Sequence, residues 1–541
     1  MSRREVVLTV VGIYLVSLVV RSLSATLVVF PIPEDTAYYV AVSQHLVQGR
    51  GLVADVLWSY NTPPLLFPRP AFEVWLPLPS LLAAVPMALF GATFRSAQVV
   101  PILLGSLVPV LAWRLAADVA EERRLAPGRA RTLAVGTGLT CAVYLPLLLH
   151  STLLDSTMPF AVFALAACLL MTRIAARPPA SWSDTRLVIL GGLIGLAALT
   201  RNEAVWLGLA WAVVAWTASG SRSRRDRLVW IAVPAVVAGL IFAPWAARDW
   251  IVFGNPLPGQ ALTNALSVTG FDIFAWADPP TLSRYLAVGP GRLVGMRVDG
   301  IGHNLLSVLL VPGAPLSFVG LVSLPLVIRL RSLRAVVLVA AITFLVTSLV
   351  FPVATTWGTF LHAAGPVHVL LVISALLGLD ALIAAVGRRR GWTKPVAWLA
   401  PTLTVTGALL FSLVLFPSFG ANSRGIADRY QALGAQMIAV GLPLGQNGPV
   451  ISDFPIWLST ATGTEALALP AEPPTDVLDL ARAFDAKTLI VSSDDHGGWP
   501  AILGSGAEGA DCFQPVDLGR PADAALADAL QGTRVYRIAC P

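Results

Sequence analysis

Charge is what this sequence has least of. Only 13% of its 541 residues are charged, about half the share in a soluble domain. Some 56% are hydrophobic and the mean hydropathy is +0.73, which excludes an ordinary soluble enzyme and a disordered chain. Cysteine is scarce, with 4 residues, so a disulfide-knotted secreted peptide is excluded too. There is no HExxH, no CxxC, no clustered histidine spacing and no GxxxxGK[ST] loop, hence no motif for a metal centre or for ATP. Internal repeats and low-complexity tracts are missing as well. The apolar residues do not alternate, which excludes a transmembrane β-barrel. They fall in runs of about 20, the length of a membrane-spanning helix. The chain reads as an all-α polytopic membrane protein.

The net charge is +6, but no nucleic-acid patch is implied. The basic residues sit between apolar runs: Arg3–Arg4, Arg123–Arg124 with Arg129 and Arg131, Arg222–Arg227, Arg329–Arg334 and Arg388–Lys394. That is the pattern of cytoplasmic loops. Met1–Phe30 is apolar over about 25 residues and ends in Phe-Pro-Ile-Pro, so it reads as a first span and not as a cleaved signal. Further spans are expected at 97–117, 133–150, 157–175, 187–200, 203–218, 228–246, 304–328, 335–353, 364–387 and 396–416, about eleven in all. Val74–Gly91 is apolar but carries Pro77, Pro79 and Pro86. Only if it lies in, or re-enters, the outer interface do all five basic clusters fall inside. The N-terminus is then cytoplasmic, in a plasma (inner) membrane. Loops at 31–73, 151–156, 201–202, 247–303 and 354–363 are extracytoplasmic.

Past Ser418 the chain gains Asp, Glu, Pro and Gly. Short strand-like runs (449–452, 487–493, 533–539) alternate with helical ones (476–484, 522–530), as in a small α/β domain of about 120 residues. The expected organisation is a membrane domain over 1–417, with interfacial helices in 31–96 and a long outer loop at 247–303, and an extracytoplasmic domain over 418–541. Cys141 and Cys168 lie in apolar spans. Cys512 and Cys540 both lie in the tail and can pair in an oxidising compartment, although spacing alone does not bring their Cα atoms within reach.

Polar residues beside a bilayer are costly and need a reason. The densest set follows the first span: Glu34, Asp35, Tyr38, Ser43, Gln44, His45 and Arg50. Glu34 and Asp35 open an expected short helix, where a carboxylate is favoured by the helix N-terminus; they are either a cap or a site. Asp155 lies in a short outer turn (His150–Ser156) and admits the same two readings. Two outer carboxylates on neighbouring turns suit the deprotonation of a hydroxyl. Positive residues are unwelcome outside, so Arg201 and Arg248 each need a partner, either an anionic lipid phosphate or the adjacent Glu203 and Asp249. Arg21, in the outer half of the first span, is costlier still.

This set resembles the GT-C superfamily of polytopic glycosyltransferases, which includes the protein O-mannosyltransferases and the aminoarabinose transferases that modify lipid A. The resemblance rests on the acidic pair after the first span (Glu34-Asp35-Thr36-Ala37-Tyr38-Tyr39), Pro63-Pro64-Leu65 before an interfacial stretch, and Leu153-Leu154-Asp155-Ser156. The segments Leu199-Thr200-Arg201 and Pro244–Pro256 add to it. It implies an inverting transfer from a polyprenyl-phosphate sugar donor to a glycan, lipid or protein acceptor at the outer face. Asp35 would be the base, and Glu34 or Asp155 would orient acceptor or sugar. Arg201, Arg248 and Arg21 would stabilise the departing phosphate, with Tyr38, Arg69 and His362 completing the donor site. No cofactor is indicated; a divalent metal is possible, since two carboxylates could hold one, but no motif points to it. The alternatives are a secondary transporter or lipid flippase, which would place charge near the midplane, and a scaffold.

Overall fold

The computed structural model describes residues 2–179, 181–218, 223–392, 396–446, 448–519 and 524–540. Arg222, Lys394 and the start of the expected 522–530 helix lie outside them. Among the described residues, seven helices are long and apolar enough to cross a membrane. They are α1 (Arg3–Ala25), a helix over Phe94–Glu122, Thr157–Ala176, Arg224–Phe253, Arg331–Leu349, Gly365–Arg389 and Leu399–Ala439. A capping box starts α1, with Ser2 Oγ accepting from the Glu5 N–H and the Glu5 carboxylate from Ser2 N–H.

The other four expected spans are short or broken. The 133–150 run is two helices, Pro127–Val143 and Leu145–His150, because Pro146 cannot continue the first one's ladder. The 187–200 and 203–218 runs are fourteen-residue helices, Thr185–Ala198 and Ala204–Thr217. The 304–328 run begins as a π-helix, His303–Leu310, and resumes at Leu316–Ser323.

The basic clusters gather at one end of the bundle. Arg131 pairs with Glu5 at 3.6 Å and Arg129 with Asp380. Glu122 accepts from Arg331 and Ser332 N–H at 2.9 Å, and Arg334 donates to Thr217 at 2.7 Å. Residues 34–92 lie at the opposite end. There α2 (Glu34–Val47) packs on α3 (Leu78–Phe90). Ser80 donates to Tyr39 O (2.9 Å), Leu78 N–H to Leu199 O (3.0 Å) and Gln44 to Ala92 O (3.0 Å). Both ends of the 74–91 stretch are thereby held at the same end of the bundle, and thirteen residues reach only about 20 Å.

The boundary expected at 417/418 falls inside a helix. The last apolar helix runs 41 residues, Leu399–Ala439, and at about 62 Å it carries the chain out of the bundle into the tail. A six-stranded sheet follows, in the order β1-β4-β3-β5-β7-β6. Its tail strands are β3 (Val450–Ser452), β4 (Ala466–Ala468), β5 (Thr488–Val491), β6 (Phe513–Pro515) and β7 (Arg534–Ile538), while β1 (Val56–Leu57) comes from the first loop, where β2 (Arg69–Pro70) lies outside this sheet and pairs antiparallel with Val53–Ala54. Strands β1, β4, β3 and β5 are parallel, joined in the tail by α4 (Pro455–Thr462) and α5 (Pro474–Phe484) as crossovers; β7 and β6 are antiparallel. The buried runs Val450–Ser452 and Ala466–Ala468 are those of strands covered on both faces. Ala37, Tyr38 and Leu57 share one core with Ile451 and Leu467, so tail and first loop fold as a unit. Cys512 and Cys540 are disulfide-bonded, and Cys141 and Cys168 are buried free thiols.

Candidate active site at one end of the bundle

Three breaks between helices meet at this end. Asp35 stands in the first turn of α2. Asp155 lies in the turn between Leu145–His150 and Thr157–Ala176. His362 lies on a five-residue helix, Thr359–Ala363, entered through Gly358 at φ 108°. His362 Nε2 is 3.2 Å from Asp35 Oδ2. Its Nδ1 is 2.8 Å from Thr157 Oγ1 and 3.6 Å from Asp155 Oδ2. Asp155 also accepts from His150 Nδ1 at 2.6 Å and from the Thr157 N–H at 2.8 Å. A continuous polar chain thus runs Asp35–His362–Asp155–His150.

The carboxylates differ in access. The Asp35 side chain is 22% exposed and that of Asp155 is 0%. Burial alone would discharge both His362 and Asp155, but each supplies the other's counter-charge. The His362 imidazole is pushed up to about 9, with burial opposing and Asp155 and Asp35 prevailing. The Asp155 carboxyl is held well below its usual range, since His150 and His362 outweigh its burial.

Asp35 opens on a cavity of about 340 Å³. Tyr39, Arg201, Glu203 and His362 line it, with Trp58, Trp75, Trp206 and Trp357 as aromatic walls. Arg201 closes the break between Thr185–Ala198 and Ala204–Thr217. It holds Glu203 through two hydrogen bonds, at 2.7 and 3.1 Å, and donates to Ser156 Oγ at 2.8 Å. Burial works against its charge, but Glu203 outweighs it and the guanidinium is raised. This geometry can deprotonate a small polar molecule and hold an anion beside it. His150, Asp155 and His362 each offer a ligand atom within 4.8 Å of one another, a set able to take a divalent metal. His150 Nδ1 and Asp155 Oδ2 are hydrogen-bonded to each other, and both histidines reach Thr157 Oγ1.

Five expected site residues point elsewhere. Glu34 faces the tail, accepting from the Ile456 N–H at 3.0 Å. The Tyr38 hydroxyl accepts from the Phe72 N–H at 2.7 Å, and its ring packs on Trp75. Arg69 is buried in the first loop, paired with Glu73 at 3.3 Å and donating to the Ser59 and Thr62 carbonyls. Arg21 is buried against Ser17, Ser151 Oγ and the Ala142 carbonyl, where it ties α1 to the Tyr144 break. Arg248 pairs with Asp249 at 2.8 Å and lies over the Trp245 ring at 4.8 Å. Of the two arginines for which a carboxylate neighbour was the alternative, both take it, but only Arg201 also faces the cavity.

Tyr39, His150, Thr157 and the tryptophans escaped the sequence reading. Tyr39 had a signal: it is four residues after Asp35 and so on the same helix face, whereas Tyr38 is four after Glu34.

Residues 69–247 match the family model described as dolichyl-phosphate-mannose-protein mannosyltransferase. No curated protein sequence matches the chain. Among solved structures, the oligosaccharyltransferase AglB from Archaeoglobus fulgidus, in complex with an inhibitory peptide and a dolichol-phosphate, superposes with a TM-score of 0.56 at 14% identity, over 94% of this chain and 72% of that one. ArnT from Cupriavidus metallidurans bound to undecaprenyl phosphate gives 0.55 at 16% identity, over 100% of both chains. Its apo form gives 0.55 at 14%, over 98% of this chain and 99% of that one. At such identities what is shared is the architecture, and the chain is a polytopic membrane protein of the GT-C fold, similar to the protein mannosyltransferases and to ArnT.

Proposed function

We propose that this protein is a membrane glycosyltransferase that moves a sugar from a polyprenyl-phosphate donor to an acceptor hydroxyl. The observation that carries this reading is the open carboxylate of Asp35 in a cavity that also holds the part-buried guanidinium of Arg201. The acceptor oxygen attacks the anomeric carbon while the bond from that carbon to the phosphate oxygen breaks, and the phosphate departs with the electron pair. One displacement inverts the anomeric centre. Asp35 takes the hydroxyl proton, and Arg201 meets the charge growing on the phosphate. Phosphate is a good leaving group and needs no acid. His362, held between Asp35 and Asp155, fixes the base; Asp155 is closed from the cavity and acts through it. The tryptophan walls suit the apolar faces of a sugar ring.

The arginine-rich end of the bundle marks the cytoplasmic side, so we place the cavity, the tail and the reaction outside, with the four shorter segments completing eleven passes. The lipid phosphates in the AglB and ArnT structures make undecaprenyl- and dolichyl-phosphate sugars the first donors to try. The test is transfer of radiolabelled sugar in membranes holding wild type or Asp35→Asn at matched expression. The expected result is a loss of about 10³-fold in the variant. Equal rates would remove Asp35 as base, and no transfer from any donor would remove the reading itself.

A further inference from the structure

The two acids that open α2 part company. Asp35 turns into the cavity, 3.2 Å from His362. Glu34, rotated by about 100° on the helix, turns to the tail and accepts from the N–H of Ile456 at 3.0 Å, in the first turn of α4. Its carboxyl group therefore lies at the N-terminal ends of two helices, α2 and α4, where free backbone N–H groups need an acceptor. The contact is part of a larger seam. Strand β1 pairs in parallel with β4 (Val56 with Ala466), and the Tyr60 hydroxyl donates to the Ala468 carbonyl. On the 247–303 loop the direction reverses: Glu472 of the tail accepts the N–H groups of Trp276, Ala277 and Asp278 at 3.0 Å. Those residues follow Gly270 and Ile273, which line the cavity, as does Trp58, next after β1. The tail thus grips two of the loops that wall the cavity.

We propose that Glu34 is a positioning residue, which pins the start of α2 to α4 of the tail so that the tail sets where Asp35 stands beside His362. On this view the tail is part of the active site although none of its described residues lines the cavity. A helix cap alone would need no partner 422 residues away. The inference rests on the transferase reading for its kinetic arm only; the linkage between helices stands apart from it. Burial pushes the Glu34 carboxyl up to about 8, the Ile456 N–H opposing and Asp453 adding to the rise, which fits a group enclosed by the seam.

The test uses the full-length protein in lipid nanodiscs with Glu34→Gln, Glu34→Ala and Glu34→Asp. Gln keeps an acceptor at the same reach; Ala removes it; Asp keeps the charge one methylene short. Hydrogen exchange is followed in the first turns of α2 and α4, with kcat and donor KM for transfer. Ala and Asp are expected to speed exchange at both turns at least tenfold and to lower kcat at least tenfold, leaving KM within twofold; Gln stays within threefold of wild type. Should the Ala variant not fold, the Asp variant decides, because its carboxylate still suits the start of α2. The proposal is overturned if Asp leaves exchange and kcat at wild-type values, or if Gln loses as much activity as Asp, since the charge itself would then be at work. A wild type without transfer would overturn the transferase reading alone, with the exchange data still deciding the linkage.

Discussion

His362 carries the sharpest residue-scale consequence. Its folded pKa lies above its ordinary 6.5, at about 9, so it folds in preference with its proton. The stability it contributes is complete below pH 6.5 and fades as pH rises through 9, by up to about 3 kcal/mol. Thermal unfolding between pH 6.5 and 9.5 should therefore show a falling midpoint in wild type and a shallower fall in His362→Gln. A residual slope is expected below pH 8, because Glu34 is also raised and has the same sign. Identical slopes in both proteins would contradict the bridged arrangement. Arg201 makes a second prediction. Arg201→Lys keeps the charge but loses the two-pronged grip on Glu203 and the bond to Ser156. Transfer should drop about 10²-fold, with the deficit in kcat. An unchanged kcat would take Arg201 out of the phosphate site.

Elements explain why the site forms where helices end. An unbroken span leaves no backbone group free and places no side chain across its own end. Each site residue stands at a break: Asp35 in the first turn of α2, Asp155 and Arg201 in tight turns, His362 after the left-handed Gly358. The breaks were foreseeable from Pro33, from the polar turn 150–156 and from Leu199–Asn202. The meeting of His362 with Asp155, 207 positions apart, was not, since nothing in local periodicity reports it. In the tail, the disulfide closes a loop of 28 residues. Cys512→Ser with Cys540→Ser should destabilise that domain by about 3–4 kcal/mol on the chain-entropy account. Calorimetry of oxidised wild type against the double variant checks this; a loss below 1 kcal/mol would place the constraint elsewhere.

For the whole molecule, the gathering of the basic residues at the end away from Asp35 predicts that the tail is reached from outside. A protease site inserted near Ser505, in an exposed segment, should be cut in intact cells, and one in the 121–131 loop should not. The reverse result would invert the topology and move the reaction to the cytoplasm. The membrane class, the charge asymmetry and the two acidic turns are properties of composition and short spacing, and the sequence determined them unaided. Hydropathy and helical periodicity are local, so they mark a span, a break or a helix face without its partner. Direction, by contrast, came from packing. Asp35 and Glu34 are neighbours, yet one meets a histidine of a distant helix and the other the tail. Arg21, Arg69 and Arg248 are outer arginines like Arg201, yet each spends its charge on a nearer partner. The first loop lends a strand to a sheet begun some 400 residues later. Such choices depend on which buried polar groups satisfy one another once the chain has closed, and that is a property of packing.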